Sequence, residues 1–136
     1  MDFLPGARSD ALFRAFPNSL EVFQWHGDTF DLPRGAERLA SSPICPNQAF
    51  RAGPAWALQF HLEVTQAIAR GWVAAYRGDL QRGLARFNPR LPREVGEPAR
   101  FAQMAGAARP LFGAWAALTA RRAGQRGILD TPPEGS

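Results

Sequence analysis

The chain contains no lysine. All sixteen of its basic residues are arginine, set against twelve acids, for a formal net charge of +4. Arginine does not titrate in the usual range, so it lifts the isoelectric point to about 10.9 without a large charge excess. A bias towards Arg, Ala, Gly and Pro with no Lys also fits a GC-rich coding sequence, which gives the basicity no functional content. There is one cysteine, Cys45. That excludes an internal disulfide and fits a reducing compartment. The opening "MDFLPGARSD" lacks a basic segment followed by an apolar one, so it is not read as a signal peptide. The longest apolar stretch, "PLFGAWAALTA", falls short of the ~20 residues a membrane span needs. The expectation is a soluble, cytoplasmic protein.

What is present is enough for one domain: 136 residues, 46% of them hydrophobic. Charge is uneven. Residues 1–69 carry 5 arginines and 7 acids, whereas residues 70–136 carry 11 arginines and 5 acids. A basic C-terminal half can meet nucleic acid or acidic lipid. These arginines are scattered at helical surface spacing, however, so a solvated face is the simpler reading and nucleic acid an unfavoured partner.

Along the chain, "DALFRAF" predicts a short amphipathic helix with Asp10 as N-cap and Leu12, Phe13 and Phe16 buried. "LEVFQWHGD" alternates and predicts a strand ending in a Gly-Asp turn. A loop and a short strand follow in "DLPRGAERLASS", then a proline-flanked turn in "PICPN". "QAFRAG" and "AWALQF" predict strands paired as an antiparallel hairpin about a Gly-Pro turn. Beyond Glu63, Val64, Ile68, Trp72 and Tyr76 recur every four residues and predict a helix ending at Gly78-Asp79. Residues 88–98 are Pro-rich and read as a linker or surface loop. Phe101, Met104 and Ala108 predict another helix, which Pro110 interrupts or replaces with a new one carrying Leu111, Trp115 and Leu118. The end reads as a frayed tail. Only one strand feeds a crossover helix, and a parallel sheet needs several such units. The pattern reads like half of an α/β domain. The four tryptophans and ten phenylalanines are most simply core; Trp25 and Phe30, next to a turn, are candidates to line a pocket.

Chemistry concentrates in "ALQFHLEVT". His61 stands at the carboxyl end of a strand, directly before a helix, where α/β sheets gather functional side chains. Histidine is the usual base near neutral pH. Glu63 can orient the imidazole and stabilise its charged form, as the third member of a triad does. Taken alone, the pair reads equally as a capping Glu beside a hydrogen-bonded His. His26-x-Asp28 and His61-x-Glu63 also contain metal-ligand types, but such pairs arise commonly by chance.

The blocks "VFQWHGDTFDLP", "LASSPICPNQAFRAG" and "ALQFHLEVT", in this order, resemble the class I glutamine amidotransferases. They look most like the stand-alone members similar to the amidotransferase domain of GMP synthase. The resemblance runs from about Asp10 to Trp72 and weakly to Trp115. It implies a flavodoxin-like α/β sheet with an antiparallel wing, and hydrolysis of glutamine's amide by a Cys-His-Glu triad with transfer of ammonia. It implies that His61 is the base and Glu63 its partner, with Leu62 where many members have proline. It makes Trp25, His26 and Asp28 substrate-pocket candidates, with no catalytic role for His26. It implies no cofactor and no metal.

The family's nucleophile sits in a G-x-C-x-G turn, where strain exposes the sulfur and a helix N-terminus favours the thiolate. No G-x-C-x-G occurs in this sequence. The resemblance therefore implies the C-terminal portion of the domain in residues 1–125, with residues 126–136 as tail, and without the nucleophile elbow. Cys45 lies between Pro43 and Pro46 with no helix after it, so it is read as structural. The expected protein is an amidotransferase family member inactive alone. Its expected partners are glutamine, the missing N-terminal half or a synthetase subunit, or a second copy of itself. A non-enzymatic interaction module on the same half-fold is the alternative.

Overall fold

The computed structural model describes residues 1–80 and 95–129. Among them a four-stranded antiparallel sheet runs in chain order: β1 (Asp2–Phe3), β2 (Glu37–Ser41), β3 (Ala49–Ala52) and β4 (Ala55–Leu58). Among the described residues three helical segments follow, α1 (Gln66–Ala75), the single turn α2 (Arg77–Asp79) and the long α3 (Pro98–Leu129). The fold is α/β. No helix among the described residues is long and apolar enough to cross a membrane.

The β3–β4 hairpin forms as the sequence predicts, with Ala52 opposite Ala55 and Ala49 opposite Leu58. Gly53 supplies a positive φ of 57° at the first turn position, and Pro54 fixes a negative φ at the second. That combination matches the right-handed twist of the two strands. Between β2 and β3 the register shifts at Arg38/Ala40, and Leu39 beside the shift is wholly buried.

Two predicted elements do not form as regular structure. Residues 10–16 make turns rather than a helix. Asp10 Oδ1 does accept from the amides of Leu12 (2.8 Å) and Phe13 (3.2 Å), so the capping chemistry is in place. Seven residues are too few to offset helix nucleation, and the turns are held by Leu12, Phe13 and Phe16 in the core. "LEVFQWHGD" is extended but forms no continuous ladder: Leu20 exchanges backbone hydrogen bonds with Met1 (3.0 and 3.1 Å), and Phe23 bridges to His61. Its alternation places Phe23 in the core, and among the described residues no strand runs beside it to complete a ladder.

The helices shift the expected faces. Thr65 caps α1 through Oγ1 to the Ile68 amide (3.3 Å). Steps of four residues advance about 40° beyond a full turn each, so the Val64–Tyr76 stripe drifts around the cylinder. Ala69, Trp72 and Val73 face the core, while Ile68 and Tyr76 are left 43% and 50% exposed. Pro110 neither ends nor restarts α3. It lies inside one helix and removes the donor that would bond the Gly106 carbonyl. Phe101, Met104, Ala108, Leu111 and Leu118 keep one apolar face across it, and tertiary packing holds the helix through the gap. The helix continues to Leu129; part of the predicted linker, residues 88–94, and the end of the tail, 130–136, lie outside the described residues.

A buried polar knot ties the N-terminal turns to the hairpin. Both carboxylate oxygens of Asp10 accept from Trp56 Nε1, at 3.1 and 3.0 Å, and Arg51 Nε lies 3.7 Å away. Asp10 is 2% exposed, so these donors replace the water it gives up.

Candidate active site

His61 is placed by its backbone before its side chain. Its amide donates to the Phe23 carbonyl (2.9 Å), continuing the line of β4 past Gln59, whose amide donates to the Gln48 carbonyl (2.9 Å). The turn after His61 brings Glu63 back onto the imidazole. Glu63 Oε1 lies 2.7 Å from His61 Nδ1, and Oε2 accepts from the Leu62 amide at 3.0 Å. Leu62 itself is buried, which anchors the turn.

This geometry fixes the tautomer. A carboxylate only accepts, so Nδ1 carries the proton and the lone pair of the neutral ring lies on Nε2. Among the described residues nothing hydrogen-bonds Nε2. Burial acts to raise the pKa of Glu63. The hydrogen bond from His61, the Glu63 and Leu62 amides and the imidazole's charge act the other way and prevail, so the carboxyl titrates below its ordinary value of 4.5. Hydrophobic rings fix the plane of the imidazole. Trp72 meets it edge to face at 5.5 Å between centroids, and Phe23 lies behind at 6.3 Å. The arrangement can take a proton at Nε2 and hold the resulting cation.

The other candidates sit differently. Trp25 stacks on Phe23 (5.9 Å, 13°) and touches Trp72 (5.6 Å), beside the imidazole's own ring contacts. Phe30 packs on Phe50 (5.0 Å, 81°). Both ring nitrogens of His26 are engaged, Nδ1 by the Asp28 carbonyl (2.8 Å) and Nε2 by the Gln24 side chain (2.9 Å). Asp28 meets His26 through its backbone. Cys45 is buried in the Ser42–Cys45 turn, with its sulfur against Thr29 Oγ1 (3.4 Å) and Gln59 Nε2 (3.5 Å). No three His, Cys, Asp or Glu gather as a metal site among the described residues.

Sequence reasoning assigned Trp72 and Phe23 to the core and missed their contact with His61. For Trp72 the signal available was its position on the helix that follows Glu63. A groove of about 440 Å³ also went unread. It opens between β4 and α3, and Glu63 stands on its wall.

Sequence comparison matches the chain to no protein-family model and to no curated protein. Structural comparison finds a glutamine amidotransferase from Thermotoga maritima, 39% identical, with a TM-score of 0.66 over 82% of this chain. The chain spans 46% of that protein's length. In fold, and in sequence over most of its length, the chain is glutamine amidotransferase-like.

Proposed function

We propose that this chain supplies the general base and its orienting carboxylate for hydrolysis of the glutamine amide, with ammonia passed to an acceptor. The nucleophilic cysteine comes from polypeptide outside this sequence. The observation that carries the reading is the 2.7 Å contact of His61 Nδ1 with Glu63 Oε1, which leaves Nε2 as the free basic nitrogen.

In this reading Nε2 takes the proton of an incoming thiol, and the thiolate sulfur bonds to the amide carbon. The His61 imidazolium, stabilised by Glu63, returns that proton to the leaving nitrogen. The C–N bond breaks and ammonia departs. Nε2 then takes a proton from water, whose oxygen attacks the thioester carbon. Glutamate leaves, and the sulfur recovers its proton from His61. Cys45 has no part in this, because its sulfur is enclosed by Thr29 and Gln59 in a turn without a helix N-terminus to favour the thiolate.

The test is glutamate release from glutamine. The purified chain is expected to release none. Release should appear when it is mixed with the portion of the Thermotoga amidotransferase that it does not match, and His61→Ala should abolish it. Glutamate from the chain alone, lost in Cys45→Ala, would make Cys45 the nucleophile and overturn the reading. Mixed activity indifferent to His61→Ala would leave only a non-enzymatic role.

A further inference from the structure

In sequence the arginines of the C-terminal half read as a scattered, solvated face. The structure brings two of them to one place. Arg70 and Arg77 line a cleft of about 210 Å³ together with Val73, Ala74, Val95 and Gly96. Positions 70, 73, 74 and 77 form one stripe of the α1–α2 turns, because helical residues three, four and seven apart share a face. Seven residues advance about 10 Å along a helix, a span that two arginine side chains can close from its ends. Val73 and Ala74 lie between them, so the cleft is charged at its ends and apolar in its middle. The opposite wall is fixed in place. Gln66, one turn before Arg70, donates from Nε2 to the carbonyl of buried Val95 (3.1 Å).

Neither guanidinium has a carboxylate partner among the described residues. Glu97, beside Gly96 in the chain, is already engaged. Its Oε2 accepts from Arg100 Nε (2.6 Å), and Arg100 also pairs with Glu21 (3.2 Å). Two like charges on one cleft repel each other, and a concave surface of one sign concentrates counter-ions. Guanidinium forks match the oxygens of phosphate and carboxylate groups. A carboxylate brings one charge, whereas a phosphate monoester concentrates about 1.5 to 2 on a single group near neutral pH. The volume lies below the roughly 300–1,000 Å³ of drug-sized pockets, which favours a small ligand over a nucleotide. We propose that the Arg70–Arg77 cleft binds a small phosphate monoester. The phosphate sits between the two guanidiniums, and its organic group lies on Val73, Ala74 and Val95. This site does not depend on the amidase reading.

The test is NMR titration of the purified chain with phenyl phosphate, read at the arginine Nε–H signals. Those of Arg70 and Arg77 should shift and saturate together. Phenyl phosphate should bind about threefold or more tighter than inorganic phosphate, because the ring adds apolar contact. Arg70→Gln and Arg77→Gln should each weaken binding by about tenfold or more. Glutamine is a good helix former, so both variants should keep the stripe folded. Arg121→Gln removes the same charge from an exposed position of α3 outside the cleft and should change the affinity by less than about twofold. Equal weakening by all three variants would mean diffuse attraction and overturns the site. Phenyl sulfate binding as tightly as phenyl phosphate also overturns it, since one charge would then suffice. So does inorganic phosphate binding as tightly as phenyl phosphate, since the apolar lining would be idle. A single-stranded RNA oligonucleotide that displaces phenyl phosphate at about a hundredfold lower concentration, and loses that advantage in Arg70→Gln, would assign the cleft to a nucleic-acid backbone instead. Glutamate release enters none of these outcomes, so the amidase reading stands or falls separately.

Discussion

The imidazole of His61 stands edge-on to the indole of Trp72, with ring centroids 5.5 Å apart and planes at 77°. Such a pair contributes about 0.5–1.5 kcal/mol, enough to favour one ring orientation several-fold over another. Trp72→Ala should therefore loosen the imidazole. The Nδ1 proton, shared with Glu63, should exchange with water two- to tenfold faster by NMR, as a rough expectation. Trp72→Phe should restore most of the protection, because an aromatic edge is kept. A folded Trp72→Ala chain with an unchanged exchange rate would remove Trp72 from any positioning role.

Glu63 should dictate which nitrogen of His61 bears the proton. In Glu63→Gln the side-chain amide can donate to Nδ1, which moves the neutral ring's proton to Nε2 and blocks the base. Nitrogen NMR of His61 should report the change of tautomer. Amidase activity in the completed enzyme should fall by on the order of 10³–10⁴-fold, as when a triad carboxylate becomes an amide. Retention of the wild-type tautomer would show that something other than Glu63 orients the ring.

The same carboxylate gives stability a signed pH dependence. Its pKa is lower in the folded chain than its ordinary value of 4.5. The unfolded chain therefore binds the proton first as pH falls. The contribution is fully present above 4.5 and is lost as pH drops through the folded value. Urea unfolding of the wild type should weaken more than that of Glu63→Gln across this acid window. The difference should be small, since the side chain is 56% exposed. A larger loss in the variant would reverse the sign and refute the assignment.

The hairpin and the His61–Glu63 pair were legible because their signals are local. Gly53-Pro54 specifies its turn, and His61 and Glu63 stand two positions apart at the end of one extended segment. Residues 20–28 misled because alternation shows which side chains are buried without showing whether a backbone partner exists. Phe23 finds its core position through one bridge to His61. Pro110 misled because helix propensity is local, while the face from Phe101 to Leu118 is held by packing against distant residues. Asp10 was legible as a cap but not as the acceptor for Trp56, 46 residues away.

That long-range contact should be among the costliest to break. Asp10→Ala leaves the Leu12 and Phe13 amides and Trp56 Nε1 without their acceptor and removes the carboxylate beside Arg51. The loss should be about 3–5 kcal/mol in urea unfolding. Trp56→Phe should cost about 1–3 kcal/mol, since it deletes one donor and leaves the amides satisfied. The double variant should lose less than the sum, because the two share one interaction. Strict additivity would mean that the pair contributes nothing jointly.

Cys45 provides the sharpest contrast between a cysteine that is present and one that can react. It is 8% exposed, and its sulfur touches Thr29 and Gln59. A thiol reagent should label it slowly in the folded chain and rapidly in urea. Cys45→Ala should cost about 1 kcal/mol through lost packing. It should leave glutamate release by the completed enzyme unchanged, because the proposed proton path through His61 Nε2 does not involve this sulfur. Fast labelling of the folded chain, together with loss of release in Cys45→Ala, would show that the turn opens and that the nucleophile was within the chain all along.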